Sequence, residues 1–185
     1  MEGKIVFKGK SKKGKSFLIR YPKKDDVKSL LHFVNTLSKE RTFISYQGEQ
    51  VALELETKYL KDELSAIKDR RNVMLLAFSG DLLVGNTSIK LRERTSKHVG
   101  LLSISVAKDF RGEGIGKKLM ELVLKEAEEN LADLRIVTLG LFACNITGRG
   151  MYEKFGFKQY GVLPKGALYR GEYVDYIDMY KNIRE

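Results

Sequence analysis

The segment RGEGIG, from Arg111 to Gly116, decides the fold because it joins two regular elements through a glycine-rich turn. The preceding residues 98–110, HVGLLSISVAKDF, are mostly apolar and predict a strand. The following residues 117–134 predict an amphipathic helix. Its apolar stripe comprises Leu119, Leu122, Val123 and Ala127. A glycine loop at a helix N-terminus exposes backbone N–H groups, so it can hold a pyrophosphate against the positive end of the helix dipole.

Other glycine-loop sites fit this segment less well. Gly114 and Gly116 alone are also compatible with a simple helix-capping turn. A Rossmann dinucleotide site needs repeated βαβ units and an acidic residue at the end of a second strand, whereas antiparallel-looking strands precede the loop here. A Walker P-loop needs a Gly-Lys-Ser/Thr sequence after its first glycine, and the chain has none at that spacing.

Apolar periodicity and turn residues predict the elements on either side of this segment. We expect an N-terminal hairpin, two helices, a second hairpin at Ser79-Gly80-Asp81, and later a strand, a short helix and two strands. The predicted ranges are helices 26–39, 49–70 and 146–155, and strands 73–78, 82–92, 135–144, 156–163 and 172–182. This order predicts an α/β fold in which helices cover a mixed sheet.

Composition excludes several classes of protein. The chain has 185 residues, a mass of 21.1 kDa and 43% hydrophobic residues, as expected of one globular domain. A lone Cys144 excludes an intramolecular disulfide, and with two histidines a His/Cys metal site is disfavoured. Without a nearby histidine, Cys144 is expected to be buried rather than an acyl-relay nucleophile. No apolar run is long enough for a bilayer span or a signal peptide, so we expect a cytoplasmic protein without membrane contact.

Positive charge is concentrated at the N-terminus. Residues 1–24 carry nine basic side chains and one acidic side chain, which accounts for +8 of the formal net charge of +10. The rest of the chain is nearly neutral, and this disfavours a broad basic face for nucleic acid. We predict a basic strand and hairpin extension over residues 1–15 and the main domain over residues 16–185.

A second segment gives the sequence a specific family resemblance. Residues 145–157, NITGRGMYEKFGF, are similar to the Asn-x5-φ-Tyr-Glu-Lys-φ-Gly-Phe segment of the Gcn5-related N-acetyltransferase (GNAT) superfamily. Residues 111–116 match that superfamily's Arg/Gln-x-x-Gly-x-Gly/Ala loop. The resemblance covers residues 16–180. The stretches at 98–100 and 171–176 are similar to the subgroup of bacterial amino-acid and small-amine acetyltransferases.

The resemblance implies a fold and a set of acetyl-CoA contacts. It implies a single-domain GNAT fold with a mixed, mostly antiparallel sheet of about seven strands, one splayed strand pair and about four helices. Acetyl-CoA is then the acyl-donor substrate, with no metal. The strand before the loop would contact the acetyl group and the pantetheine arm, the loop would bind the pyrophosphate, and Tyr152 would be the general acid. The implied contacts are Ile104, Ser105, Val106, Arg111, Gly112, Glu113, Gly114, Ile115, Gly116, Lys117, Asn145 and Tyr152.

The sequence predicts the amine acceptor less specifically than the acyl donor. We expect direct attack by a primary amine in a ternary complex, with a small amine or amino acid favoured over a protein N-terminus or lysine. Protein N-terminal acetylators of the superfamily often carry a glutamate where this chain has Gly140. The candidates for a general base, besides ordered water, are Glu54, Glu56, His98, Asp175 and Tyr176.

Three further hypotheses follow from the sequence. Phe43 and Tyr46 are predicted to line the acceptor pocket, because the resemblance puts the loop between the first two helices there. The final strand, Tyr173 to Tyr180, could pair with a second copy in a homodimer. The competing hypothesis from another class is a non-catalytic acyl-CoA-binding regulatory module.

Overall fold

An eight-stranded sheet forms the centre of the computed structural model, which describes residues 1–184. The strands are β1 (Ile5–Lys10), β2 (Ser16–Arg20), β3 (Asn72–Ser79), β4 (Leu82–Leu91), β5 (Val99–Val106), β6 (Ile136–Phe142), β7 (Lys158–Tyr169) and β8 (Glu172–Asn182). The α-helices in this part of the chain are α1 (Val27–Lys39), α2 (Leu53–Lys68), α3 (Ile115–Asn130) and α4 (Ile146–Lys154). The predicted α/β fold is confirmed, with one strand more than the seven expected.

The strand order is β1-β2-β3-β4-β5-β6-β8-β7. Neighbours are antiparallel except β5 and β6, which run parallel and are connected through α3. Strand β3 is buried at every residue but its last, which matches its continuous apolar sequence and its position under α2 and α3. Leu119, Val123 and Ala127 of α3 are fully buried, so the predicted apolar stripe faces the sheet.

Helix α2 is shorter than the sequence predicted. It begins at Leu53 and ends at Lys68, whereas the prediction was 49–70. The side chain of Asn35 accepts a hydrogen bond from the Val51 N–H at 2.8 Å and donates one to the Val51 carbonyl at 3.1 Å. These two bonds hold the chain extended before the helix, and a contact between residues 16 positions apart has no local signature in the sequence.

Strand β7 is longer than predicted. It continues past the predicted end at residue 163 to Tyr169, although Pro164 lies within it. The register with β8 shifts between Leu163 and Ala167, so the proline lies in an irregularity of an edge strand, where a missing N–H costs no ladder bond.

The N-terminal hairpin joins the same sheet as its edge. β1 pairs with β2, and β2 pairs with the central strand β3. Tyr21, directly after β2, is fully buried and donates a hydrogen bond to Glu126 of α3 at 2.8 Å. The hairpin therefore runs alongside α3. No helix within residues 1–184 is long and apolar enough to cross a membrane.

Candidate active site

Strands β5 and β6 separate near the middle of the sheet. Their parallel register has three residue pairs and ends at Leu101 and Thr138. Both strands continue beyond that point, β5 to Val106 along β4 and β6 to Phe142 along β8. The expected splayed strand pair is therefore present, and the later part of β5 faces a gap on its β6 side.

The glycine loop lies at the open end of this gap. Gly112 and Gly114 have φ angles of 75° and 91°, which is left-handed backbone that favours glycine. A Cβ built on Gly116 would lie 3.5 Å from a methyl group of Val106 and 3.9 Å from the sulfur of Met151. The end of β5, the first turn of α3 and helix α4 thus meet here, so the structure brings the two sequence motifs together.

The predicted donor contacts lie around this gap. Ile104, Ser105 and Val106 are half-buried on the part of β5 that has separated from β6. Ile115 is 1% exposed and packs in the core, which leaves its backbone as the only part that a ligand could meet. Lys117 is exposed in the first turn of α3. Their roles in binding stay predictions.

The side chain of Arg111 connects three segments. Its Nε donates to the Val106 carbonyl at 2.9 Å, and its guanidinium pairs with Glu40, at the end of α1, at 2.7 Å. The arginine of the motif therefore fixes the glycine loop to the end of β5 and to the start of the α1–α2 loop. Its charge is matched by a carboxylate, so the backbone of the loop and other cations must supply most of the attraction for a phosphate.

Asn145 is the N-cap residue of helix α4. Its Oδ1 accepts a hydrogen bond from the Gly148 N–H at 2.9 Å, which caps the helix. The predicted bond from Asn145 to pantetheine would have to use the side-chain NH2 group, and it stays a prediction. Cys144 next to it is exposed, so the expectation of a buried cysteine was wrong. The turn between β6 and α4 holds it at the surface, outside the core.

Tyr152 on α4 is almost completely buried. It is 9% exposed, and its ring meets Phe157 edge-on with centroids 6.1 Å apart. Burial, with a smaller contribution from nearby Tyr176, raises the pKa of Tyr152 to about 12. The phenol therefore stays protonated across the physiological range, as a hydrogen-bond donor must.

Gly140 on β6 makes room for Tyr176 of β8. A Cβ built on Gly140 would lie 2.6 Å from Cζ of Tyr176, and closer still to its hydroxyl. Tyr176 is half-buried, and burial, followed by the neighbouring Asp178 carboxylate, raises its pKa. The tyrosine thus occupies the space beside β6 that a side chain at position 140 would otherwise take.

Aromatic rings continue from Tyr176 to the α1–α2 loop. Phe142 lies 6.0 Å from Tyr176 and 5.4 Å from Tyr169, measured between ring centroids. Phe43 of the loop stacks on Tyr169 at 5.0 Å and meets Phe142 at 6.2 Å. The structure therefore brings Phe43 to this aromatic cluster. Tyr46 lies in the same loop and is 43% exposed.

The other candidate bases have different surroundings. His98 lies just before β5, where its carbonyl accepts the N–H groups of Arg135 and Ile136. This is the closed end of the β5–β6 pair, so the structure does not bring His98 to the gap. Glu54 is exposed on α2, and burial raises the pKa of Glu56. Asp175 accepts the Lys165 N–H at 2.9 Å.

Glu113 was predicted as a loop residue, but its partners were missed. Its side chain is fully buried and accepts a hydrogen bond from the Ser11 hydroxyl at 2.6 Å, with the Lys15 ammonium 3.1 Å away. Glu40 was also missed as the partner of Arg111. These contacts join residues 71 to 102 positions apart, and no local pattern could indicate them. Among residues 1–184, no cluster of three or more His, Cys, Asp or Glu side chains could hold a metal ion.

Comparison with known proteins points to one family. Residues 34–157 match the model of the Acetyltransferase (GNAT) family. The chain is 31% identical over 103 residues to the L-amino acid N-acetyltransferase AaaT of Escherichia coli, an alignment that covers 55% of this chain and 62% of that relative.

Solved structures share the fold over most of the chain. An acetyltransferase of the GNAT family from Streptococcus pneumoniae is 28% identical, with a TM-score of 0.81 over 90% of this chain and 98% of its own. A ribosomal-protein-alanine N-acetyltransferase from Brucella melitensis is 26% identical, with a TM-score of 0.78 over 89% and 99%. The protein yncA from Salmonella typhimurium, solved with its cofactor acetyl-CoA, is 18% identical, with a TM-score of 0.79 over 91% and 95%.

Proposed function

The chain belongs to the acetyltransferase (GNAT) family, and we propose that it transfers the acetyl group of acetyl-CoA to the nitrogen of a primary amine, with a small amine or amino acid favoured. The observation that carries the proposal is the gap between β5 and β6, which opens beside the glycine loop at the start of α3. A thioester arm fits such a gap, because the free edge of β5 offers peptide groups and the loop offers an anion site at its end.

Donor binding follows from backbone chemistry. The peptide groups of Ile104–Val106 on the free side of β5 would bind the acetyl carbonyl and the pantetheine amides. The N–H groups of residues 112–116, together with Lys117, would bind the pyrophosphate, whereas the Arg111 N–H already donates to the Lys108 carbonyl at 3.2 Å. A carbonyl held by fixed N–H donors is polarised toward attack without reorganisation of solvent.

Tyr152 supports departure of the sulfur mainly as a hydrogen-bond donor. Its pKa of about 12 exceeds the ordinary thiol value of about 8.5, so complete proton transfer to a thiolate would be uphill by roughly 5 kcal/mol. A hydrogen bond to the sulfur stabilises the charge as it develops. Tyr152 transfers its proton to the sulfur only if the phenol regains a proton from the attacking nitrogen.

Tyr176 would act at the acceptor end. An alkylammonium has a pKa of about 10.4 and must lose a proton before it can attack. The Tyr176 hydroxyl lies over Gly140 on β6, and Tyr176 contributes, after burial, to the raised pKa of Tyr152. A hydroxyl there can accept a hydrogen bond from the amine and pass a proton to water. The aromatic cluster of Phe43, Phe142 and Tyr169 would exclude bulk water beside it.

A small amine or amino acid is favoured as the acceptor by two observations. The E. coli relative is named as an L-amino acid N-acetyltransferase. Gly140 stands where the superfamily's protein N-terminal acetylators often carry a glutamate. The second candidate is acetylation of a protein N-terminus, which the similarity to a ribosomal-protein-alanine N-acetyltransferase favours. The homodimer and the cytoplasmic location stay predictions.

The test is a calorimetric titration with acetyl-CoA followed by a thiol-release assay over amino acids, polyamines and N-terminal peptides. Saturable binding and release of free CoA with amino acids or small amines would support the proposal. Release with peptides alone would favour the second candidate. Binding of acetyl-CoA without release of CoA in the presence of any acceptor would favour the non-catalytic module. Absence of binding would mean that the glycine loop only caps the helix.

Tyr152→Phe separates an enzyme from a binding module. We expect the variant to lose roughly 100-fold in kcat, because one hydrogen-bond donor to charge that develops in the transition state contributes about that much, while its affinity for acetyl-CoA changes little. Tyr160→Phe is the matched control, because it removes the hydroxyl of an exposed tyrosine on β7. An unchanged kcat in Tyr152→Phe would show that this phenol has no part in the transfer.

A further inference from the structure

A carboxylate in the glycine loop poses a problem for phosphate binding. Glu113 lies between the two left-handed glycines, and its negative charge would repel a pyrophosphate. The structure turns it away from solvent: the side chain is 0% exposed and accepts the Ser11 hydroxyl at 2.6 Å. That hydrogen bond, followed by the ammonium of Lys15, lowers the pKa of Glu113 and keeps it ionised.

The partners of Glu113 belong to the turn of the N-terminal hairpin, which we call the hairpin turn (residues 11–15). The Ser11 N–H donates to the Lys15 carbonyl at 2.8 Å, which closes the turn. The turn is attached to the loop through the backbone as well, because the Lys12 N–H donates to the Glu113 carbonyl at 3.0 Å. Lys13 lies 3.6 Å from the same carboxylate. The carboxylate of Glu113 therefore holds the basic hairpin turn against the glycine loop.

Lys12 differs from the other lysines of the hairpin turn. A Cβ built on Gly114 would lie 3.7 Å from its Cγ and 3.8 Å from its Cε, so its side chain crosses the N-cap of α3. Within residues 1–184, no carboxylate lies within 4.0 Å of its ammonium, whereas Lys13 and Lys15 both pair with Glu113. Lys12 is thus a cation without an acidic partner beside the backbone N–H groups of the loop.

We propose that the hairpin turn is part of the acetyl-CoA site: Lys12 binds a phosphate of the 3′-phospho-ADP end, and Glu113 is the positioning residue that holds the turn in place. The inference rests on the proposed function, and it gives residues 1–15 a role within the domain. It also adds a second cation to that of Lys117, which matters because the guanidinium of Arg111 is already paired with Glu40. Two sources of phosphate are compatible with this position, the pyrophosphate and the 3′-phosphate.

The first experiment measures the dissociation constant of acetyl-CoA by calorimetry at low and at high ionic strength. We expect Lys12→Ala to weaken binding about tenfold at low salt, as for the loss of one charge-assisted hydrogen bond, and less at high salt. The matched control is Lys8→Ala, which removes the same charge from the same hairpin. Phe7 faces α3, so strand alternation directs Lys8 to the other face, and its removal should leave affinity unchanged.

Titration with 3′-dephospho-acetyl-CoA distinguishes the two phosphates. If Lys12 binds the 3′-phosphate, the difference between wild type and Lys12→Ala disappears with this ligand. If Lys12 binds the pyrophosphate, the difference persists. Either result supports the proposal. Equal affinities of wild type and Lys12→Ala for acetyl-CoA, in a wild type that binds well, would overturn the hairpin inference and leave the proposed function intact.

Glu113→Gln tests the positioning role. The amide keeps the shape and can accept the Ser11 hydroxyl, but it loses the ion pairs with Lys13 and Lys15. We expect KM for acetyl-CoA to rise several-fold while kcat at saturation is kept, with circular dichroism confirming the fold. Adding Lys12→Ala to Glu113→Gln should then cost less affinity than it costs in the wild type. Fully additive effects would show that Glu113 does not act through Lys12, and a wild type that fails to bind acetyl-CoA would overturn both proposals.

Discussion

Replacing Gly140 with alanine is expected to displace Tyr176 and to destabilise the fold by about 1 to 3 kcal/mol. The added Cβ would lie 2.6 Å from Cζ of Tyr176, whereas carbon atoms normally pack at about 3.5 to 4.0 Å. The ring must therefore withdraw by about 1 Å. Because Tyr176 is half-buried, it can turn outward, and we expect the lower half of that range.

Urea unfolding followed by far-UV circular dichroism measures this free energy, since the chain has no tryptophan to report by fluorescence. Gly150→Ala is the matched control. An added Cβ at Gly150 meets nothing within 4 Å, and the residue lies inside α4, so alanine should be neutral or stabilising by up to about 1 kcal/mol.

A double-mutant cycle makes the prediction specific to the contact. In a Tyr176→Ala background the obstacle is gone, so Gly140→Ala should cost less than about 0.5 kcal/mol. The same cost in both backgrounds would refute the reasoning, because it would mean that the ring of Tyr176 does not lie over Gly140. Thiol release gives a second readout: Gly140→Ala and Tyr176→Phe should slow turnover to a similar extent, and fully active variants would remove Tyr176 from the acceptor end.

Two further predictions concern stability. Because burial raises the pKa values of Tyr21 and Tyr152, the unfolded chain loses these protons first, so the free energy of unfolding should fall as pH rises from about 10 to about 12. Tyr152 contributes roughly 3 kcal/mol of that fall, and the urea midpoint of Tyr152→Phe should change correspondingly less over this range; an identical pH profile would contradict it. Lys90→Met should cost about 1 to 3 kcal/mol by urea unfolding, because Lys90 lies 2.5 Å from the buried carboxylate of Glu63. Lys97→Met, which breaks an exposed pair, should cost less than about 1 kcal/mol, and equal costs would show that burial of Glu63 does not matter.

Local patterns in the sequence were sufficient for the elements that carry the motifs. Gly112 and Gly114 have positive φ, which glycine adopts readily, so glycines at these positions predict a loop. The apolar residues of α3 lie on one face of the helix, so their spacing predicts a helix directly after the loop. The two motifs were predicted to meet because they resemble one family, and they do meet at Gly116 and Met151.

The contacts between remote segments could not be predicted in the same way. The partner of Arg111 lies 71 residues earlier, and that of Glu113 lies 102 residues earlier. Periodicity and turn chemistry concern neighbours within a few residues, so they cannot choose which of many surface charges will face each other across the fold. The contact between Gly140 and Tyr176 could not be predicted for the same reason, because the tyrosine comes from another strand.

The charges around the glycine loop are arranged to suit a small anionic ligand. Arg111 is paired with Glu40, and Glu113 is paired with Lys15, so within the loop one cation and one anion are both neutralised by neighbouring segments. What remains beside the loop is the field of the helix N-terminus and two lysines that have no acidic partner within residues 1–184, Lys12 of the hairpin turn and Lys117 of α3. Such a field is local and falls off within about 10 Å at ordinary ionic strength. It suits a compact group of phosphates held at one point, whereas an extended backbone would need positive charge along its whole length.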